Sequence, residues 1–494
     1  MRFIIFLIIV FWSAEAADDF IKVNIVEKKL DNGLKILMYE EHSSPQVICR
    51  LTYKAGSVNE YAGISGISHM LEHMMFKGTK DIGTKNAEAD SAIIKKIDNF
   101  WEKLRQAEKE QDSASKEKYR GEIEALLKKQ QEISIPEELW QIYMNNGGGA
   151  ELNAFTSDLL TNYIVTLPSE KLELFMWLES DRMANAVFRE FYPEKNVVAE
   201  ERRMRYESSP KGRYFESLFG IFYEAHPKRI PTIGYASDIE NYTREMVKRH
   251  YDKYYVPANA LMVIAGDIDT AEVMRLAKKY FGGIPGGSSA PEITTKEPVQ
   301  VGQKRFLQEK EVSPQIDILF HTPGYPNKDL YAVDVLETVL SGLSGRLHKE
   351  LVIEKGIAGS AGAMNYLDKY ESTFRISVSL KRDSAYAEAE EAVFSIIKDI
   401  QRNGISSEEL EKAKNRVLMN SVSELRDLKQ LANEMAFWEV YGDWRYINEF
   451  PKGVSAVKKE EVKETAKKYL TFNNSTVGWI GKNIQDKQPA KNEE

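Results

Sequence analysis

The stretch Gly66-Ile67-Ser68-His69-Met70-Leu71-Glu72-His73-Met74-Met75-Phe76 places two histidines four residues apart, with a glutamate between them. On a helix, side chains at this spacing lie on one face, about one turn apart. The pattern therefore predicts two imidazole ligands for one zinc ion, and the carboxylate of Glu72 can reach the same region. The apolar residues around them predict a buried helix. Burying two histidines and a carboxylate there without a metal to pair with them would destabilise the fold.

A third ligand has to come from elsewhere, because a catalytic zinc takes three protein ligands and keeps a fourth position for water. The candidate segment is the predicted helix at residues 191–206. Glu194 and Glu201 are seven residues apart and share nearly one helix face, whereas Glu200 lies off that face and is assigned to solvent. Periodicity makes Glu194 and Glu201 neighbours, but it does not show that either binds metal.

A break in composition divides the chain. Residues 281–291 are rich in Gly, Pro and Ser, which predicts a linker between two halves. Residues 247–266 align without gaps on residues 462–481, with Val, Lys, Lys, Tyr, Asn and Gly at a constant offset. Each copy reads as a helix, a turn and a strand ending at Gly, which favours a duplicated domain over chance similarity.

These signals predict an α+β fold of two related domains, each a mixed β-sheet packed with helices. The first domain is assigned to residues 17–280 and the second to residues 305–494, with a linker at 281–304. Within the first domain, residues at about 86–146 carry apolar positions at alternating spacings of four and three, which predicts an inserted helical hairpin. The hairpin is either a lid or docking arm over a cleft, or a solvated structural insertion.

Composition narrows the compartment and the partners. Arg2, an apolar run and a small-x-small site ending at Ala16 predict a signal peptide over residues 1–16, so we expect an exported protein, periplasmic or extracellular. No later segment predicts a membrane span. The net charge of −8 gives no reason to expect nucleic acid. The single cysteine, Cys49, allows no internal disulfide and is interpreted as a buried filler.

Taken together, these segments resemble the pitrilysin or insulinase-type (M16, inverzincin) zinc metallopeptidases, in the subgroup of bacterial proteins similar to processing peptidases. Residues 66–79 resemble the family's zinc helix, and residues 191–210 its second zinc segment. Residues 147–156 resemble its substrate-binding strand, and residues 255–267 the end of its first domain. The similarity covers most of residues 25–482.

The resemblance assigns roles to these residues. It implies one Zn²⁺ per chain, held by His69, His73 and Glu201, with Glu194 supporting the ligands and Glu72 as the catalytic base. It also implies that unfolded peptides add a strand beside the substrate-binding residues, which are Asn153, Ala154, Phe155 and Thr156. Backbone hydrogen bonds at a sheet edge bind peptides without demanding one sequence. Manganese or cobalt could replace zinc in such a site.

The chain departs from the family in two places. The spacing from His73 to Glu201 is long, and the insertion at about 86–146 accounts for the added length. Active single-subunit members usually carry an Arg and a Tyr in the second half, where this chain has Val352 and Gly359. We therefore expect a related partner subunit that supplies the Arg and Tyr, with a homodimer as the competing possibility.

The function expected from the sequence is a zinc metalloendopeptidase that hydrolyses unfolded peptides or small proteins, in which Glu72 activates a water on the metal. The alternative is a non-catalytic, peptide-enclosing or structural subunit of the same fold. The helix expected near residues 329–340 has no His, so the second domain is expected to be inactive and to hold no metal site of its own.

Overall fold

A computed structural model describes residues 22–382, 385–482 and 484; the predicted signal peptide lies outside them. The described residues divide into two compact units: residues 25–297 form the first, and the described residues from 298 onward, together with residues 22–24, form the second. The division falls inside the segment 281–304. Val23 joins the second unit by donating its N–H to Oδ1 of Asn448 at 2.8 Å.

The first unit is built on a six-stranded sheet of order β1-β2-β6-β3-β5-β4. Its strands are β1 (Val26–Lys29), β2 (Lys35–Glu40), β3 (Gln46–Tyr53), β4 (Ala150–Thr156), β5 (Thr161–Pro168) and β6 (Ala260–Gly266). Only β2 and β6 pair in parallel. The central strand β6 is buried at every residue, as its continuous apolar run requires. β4 is the outermost strand, and its one neighbour in the sheet is β5.

Ten helices accompany this sheet among the described residues. They are α1 (Ile67–Met74), α2 (Ala87–Lys109), α3 (Ser113–Ile133), α4 (Glu138–Gln141), α5 (Leu172–Asn185), α6 (Phe191–Arg202), α7 (Pro210–Phe222), α8 (Ala236–Asn241), α9 (Arg244–Tyr254) and α10 (Thr270–Phe281). The inserted hairpin is confirmed as α2 and α3. Asn86 and Asp112 cap its two helices, and its apolar stripe buries Ile97, Leu104 and Ile123.

The second unit contains a five-stranded sheet of order β7-β11-β8-β10-β9. Its strands are β7 (Lys304–Glu309), β8 (Gln315–Pro323), β9 (Ala358–Tyr366), β10 (Glu371–Leu380) and β11 (Ser475–Gly481). Its helices are α11 (Asp329–Leu340), α12 (Arg346–His348), α13 (Tyr386–Asn403), α14 (Ser407–Arg426), α15 (Leu428–Tyr441), α16 (Tyr446–Ala456) and α17 (Lys459–Tyr469). Within the described residues, no helix is long and apolar enough to cross a membrane.

The predicted duplication is confirmed by the pairing of the strands. The order β7-β11-β8-β10-β9 repeats β2-β6-β3-β5-β4, with the same parallel and antiparallel neighbours. The equivalent asparagines also make the same bond. The side-chain N–H of Asn259 donates to the carbonyl of Tyr254 at 2.9 Å, and that of Asn474 donates to the carbonyl of Tyr469 at 2.7 Å. Each bond satisfies a carbonyl at the end of a helix just before the central strand.

Candidate metal centre

The position of α1 is fixed at its first turn. Gly66 precedes the helix with φ +84°, and a Cβ there would lie 2.2 Å from the carbonyl oxygen of Ile233, so only glycine fits. The buried carboxylate of Glu60 accepts the N–H groups of Gly66 at 2.5 Å and Ser68 at 2.8 Å. These bonds satisfy donors that have no partner inside the helix, which allows α1 to start in the core.

The two histidines of α1 face the same side. Their ring centroids are 4.8 Å apart, and His69 is 7% exposed. Met70, Leu71 and Met74 on the other faces are fully buried in the core of the first unit. The helix is therefore held by apolar packing on its other faces while both imidazoles point to one site.

Glu201, at the end of α6, lies opposite these imidazoles. Its Oε2 is 3.4 Å from Nε2 of His73 and 3.7 Å from Nε2 of His69. Both distances exceed a good hydrogen bond, and they resemble the separation of about 3.3 Å between two ligands on one tetrahedral zinc. Within the described residues, these three side chains form the one group of His, Cys, Asp or Glu that could hold a metal ion, with ligand atoms all within 4.8 Å. The donor set fits zinc.

Three further side chains, Glu194, Lys77 and Arg205, surround this group. Oε1 of Glu194 lies 2.9 Å from Nδ1 of His73, which leaves Nε2 directed toward Glu201. Nζ of Lys77 pairs with Oε2 of Glu194 at 2.6 Å, and Arg205 pairs with Oε1 of Glu201 at 2.7 Å. Glu194 and Glu201 thus share one face, as predicted from their spacing, and Glu200 is exposed and pairs with Arg203.

The charges of the site shift its pKa values in different directions. Burial lowers the pKa of His69 to about 4, and the neighbouring His73 lowers it further. Burial also disfavours charge on His73, but the hydrogen bond to Glu194 and the close carboxylate of Glu201 outweigh it and raise that pKa to about 9. The close contact with His73 lowers the pKa of Glu201. In the metal-free site, His73 therefore holds the proton that a metal ion would replace.

Glu72 lies on the same helix between the histidines and makes a different contact. Its Oε2 accepts a hydrogen bond from Oγ1 of Thr156 in β4 at 2.6 Å. Burial raises the pKa of Glu72, although the bond from Thr156 opposes this. A carboxylate with a raised pKa beside a metal site suits proton transfer near neutral pH.

The segment predicted to bind substrate is β4 at the edge of the sheet. Asn153 pairs with Ile164 and Thr156 with Thr161 in β5, and the register shifts between Ala150 and Asn153. Ala154 and Phe155 lie between them in the strand and are half-buried. The structure therefore brings Thr156 into contact with Glu72 and places the other three residues along the same edge strand.

A cavity of about 790 Å³ adjoins the site. It is lined by the end of α1, by β4 and by the segment that follows the hairpin; Glu72, His73, Phe76, Leu152, Ala154, Ile135 and Trp140 are among its lining residues. The sequence reasoning missed the contribution of this segment, and it missed Lys77 and Arg205. Each of those two cations stands four residues after a site residue, a spacing that could have identified them.

The second unit retains the scaffold without the ligands. In α11, Asp334-Val-Leu-Glu337-Thr338 shares the spacing of His69-x-x-Glu72-His73. By strand register, Asn365 of β9 occupies the place of Thr156, and its amide donates to Oδ1 of Asp334 at 2.8 Å. Within the described residues, the candidate metal-binding group found is the one in the first unit.

Comparison with known proteins agrees with this fold. Residues 35–99, which include α1, match the model of "Insulinase (Peptidase family M16)", and residues 241–417 match "Peptidase M16 inactive domain". The architecture and these matches define a two-domain M16-type protein. The chain belongs to the M16 (insulinase) peptidase family.

Individual relatives extend over most of the chain. The zinc protease PqqE of Helicobacter pylori is 27% identical over 460 residues, which cover 91% of each protein. The crystal structure of a protease from Helicobacter pylori has a TM-score of 0.75 at 26% identity and covers 93% of this chain and 99% of that one. The periplasmic protease PqqL from Escherichia coli has a TM-score of 0.72 at 17% identity, and the match covers 95% of this chain and 49% of that one, which shows a shared fold alone.

Proposed function

We propose that this chain is a zinc metalloendopeptidase that cleaves unfolded peptides or small proteins. The observation that carries the proposal is the convergence of His69, His73 and Glu201, with Glu72 beside them and hydrogen-bonded to the edge strand. The relative PqqE is named a zinc protease, which supports the same metal and reaction class.

In this proposal His69, His73 and Glu201 hold the ion, and Glu194 fixes the ring of His73. When bound, zinc supplies Lewis-acid polarisation of a carbonyl and makes water acidic at neutral pH. Glu72 accepts the proton of the attacking water and returns it to the nitrogen of the leaving amine. Its raised pKa suits both transfers, because the group has to gain and then lose one proton.

The substrate is proposed to be an extended peptide that pairs with the open side of β4. Main-chain hydrogen bonds along this edge, around Asn153, Ala154, Phe155 and Thr156, would place the scissile bond next to Glu72. The cavity beside β4 would take a substrate side chain. The contact between Thr156 and Glu72 links the strand that holds the peptide to the base that acts on it.

We further propose that the protein is exported, that the first unit is catalytic, and that the second is an inactive M16-like unit. The absence of Arg and Tyr at Val352 and Gly359 supports a related partner subunit at the working site, and a homodimer is the competing possibility.

The experiment is incubation of the purified, zinc-loaded protein with a mixed library of unfolded peptides, with and without a chelator. We expect cleavage that the chelator abolishes and added zinc restores. Glu72→Gln should retain zinc and lose about 10²–10⁴-fold in kcat, because the general base is gone. Glu200→Gln is the matched control: it removes an exposed carboxylate from α6 and should cleave like the wild type. Undiminished cleavage by Glu72→Gln would refute the role of Glu72.

A further inference from the structure

Arg189 joins segments that are distant in sequence. Its side chain is 3% exposed, and its guanidinium donates to the carbonyls of Lys77 at 3.0 Å, Ile82 at 2.8 Å and Thr79 at 2.6 Å. These carbonyls follow α1, which carries both histidines. Arg189 itself lies just before α6, which carries Glu194 and Glu201. One buried cation thus connects the two helices of the candidate metal centre.

The counterion of Arg189 comes from the inserted hairpin. Oδ2 of Asp90, in the first turn of α2, accepts from Nε of Arg189 at 2.6 Å, and both side chains are 3% exposed. The other carboxylate oxygen of Asp90 accepts from Nε2 of Gln130, near the end of α3, at 2.8 Å. Both helices of the hairpin are therefore fastened to Arg189 at their base.

The middle of α2 also packs on α6. Trp101 stacks on Tyr192 with ring centroids 4.3 Å apart, and the hydroxyl of Tyr192 donates to Asp98 at 3.1 Å. Nζ of Lys195 lies 5.4 Å from the centroid of Trp101. Tyr192 and Lys195 flank Glu194 in sequence, so the hairpin contacts the turn of α6 that holds His73 in place.

The outer half of the hairpin has a different environment. Its ion pair between Arg120 and Glu108 is solvent-exposed, with side chains 63% and 43% exposed. An exposed pair of this kind contributes little, whereas the loss of one partner of a buried pair leaves a charge without compensation.

We propose that Asp90 is a positioning residue of the metal centre, which acts through Arg189 to set α6 against α1. The hairpin is then part of the framework of the site at its base, rather than a separate arm. The proposal concerns the geometry of His69, His73 and Glu201. Only its predicted effect on kcat rests on the proposed zinc-peptidase function.

The test compares Asp90→Asn with Glu108→Gln, since each removes one carboxylate charge from the same hairpin. In folded, zinc-loaded protein, Asp90→Asn should weaken zinc binding about tenfold, measured by competition with a chromophoric chelator. It should also lower kcat about tenfold with KM nearly unchanged, and shift the visible absorption bands of the cobalt-substituted protein. Glu108→Gln should match the wild type in all three measurements.

Non-additivity shows whether Asp90 acts through Arg189. Adding Asp90→Asn to Arg189→Gln should cause no further loss of zinc affinity, because the two residues form one unit. If Asp90→Asn does not fold, Gln130→Ala leaves the ion pair in place and should weaken zinc binding about threefold.

Zinc affinity within twofold of the wild type, in folded Asp90→Asn or in Gln130→Ala, would overturn the proposal. If the wild type cleaves no peptide, the peptidase function fails, but the zinc-affinity and cobalt measurements still decide the role of Asp90.

Discussion

Protonation of His73 should make the zinc affinity of the site depend on pH. Its pKa is raised to about 9 in the metal-free protein, above the value of about 6.5 in an unfolded chain, so at pH 7 it carries a proton. Zinc needs the neutral ring. We expect zinc binding at pH 7 to release about one proton, and the zinc affinity to rise about tenfold per pH unit up to about pH 9. Titration calorimetry in two buffers with different ionisation enthalpies measures the proton count. Zinc binding that releases no proton, with an affinity that stays the same from pH 7 to pH 9, would contradict a protonated His73 in the metal-free protein.

Glu201 should matter far more than its neighbour in sequence. Glu201→Gln replaces the charged oxygen of the proposed third ligand by a weak neutral one, and we expect zinc affinity to fall by more than about 100-fold. Glu200→Gln changes a carboxylate that pairs with Arg203 at the surface, and it should leave zinc affinity unchanged. Equal zinc affinities for the two variants, measured by chelator competition, would show that Glu201 is no ligand.

At the scale of the elements, the position of α1 depends on the glycine turn that precedes the helix. A Cβ at Gly66 would lie 2.2 Å from the carbonyl oxygen of Ile233, whereas a Cβ at Gly63 meets no atom within 4 Å, although both residues have positive φ. Gly63→Ala should cost about 1 kcal/mol through backbone strain alone. Gly66→Ala should cost at least about twice as much, because the backbone has to move as well. The melting temperatures of the two variants test this, and equal losses would mean that the entry turn adapts freely.

The sequence predicted the elements better than the contacts between them. The spacing of His69, Glu72 and His73 and the shared face of Glu194 and Glu201 follow from the period of a helix, so they could be read directly. The link from Asp90 to Arg189 joins segments about a hundred residues apart, and no local period encodes it. The same holds for the wall of the cavity after the hairpin, which depends on where the chain returns to the sheet.

At the scale of the whole molecule, the duplication gives two units of one fold, and they differ in whether they carry the candidate metal-binding side chains. Both sheets share a strand order, but α1 carries two histidines and α11 carries none. The second unit is therefore proposed to serve substrate binding or assembly instead of metal binding. The duplication fixes the fold of the second unit but not the side chains on its surface. A partner is recognised by those surface side chains, so the sequence could not identify the partner.

The missing Arg and Tyr lead to a prediction about assembly. With Val352 and Gly359 in their place, the purified chain should hydrolyse peptides weakly, because neither residue can donate the side-chain hydrogen bonds of an Arg or a Tyr. A co-expressed related subunit that carries both residues should raise kcat/KM by at least about tenfold, with a complex visible by light scattering. Full activity of a monomer of this chain would contradict the partner proposal.

X-ray absorption at the zinc edge tests the central claim most directly, on wild-type protein and on Glu201→Gln. The account predicts one zinc per wild-type chain, with two imidazole nitrogens at about 2.0–2.1 Å and a carboxylate oxygen at about 2.0–2.2 Å, and a shell that loses the carboxylate in Glu201→Gln. A wild-type protein that takes up no zinc, or a zinc shell identical in both proteins, would contradict it.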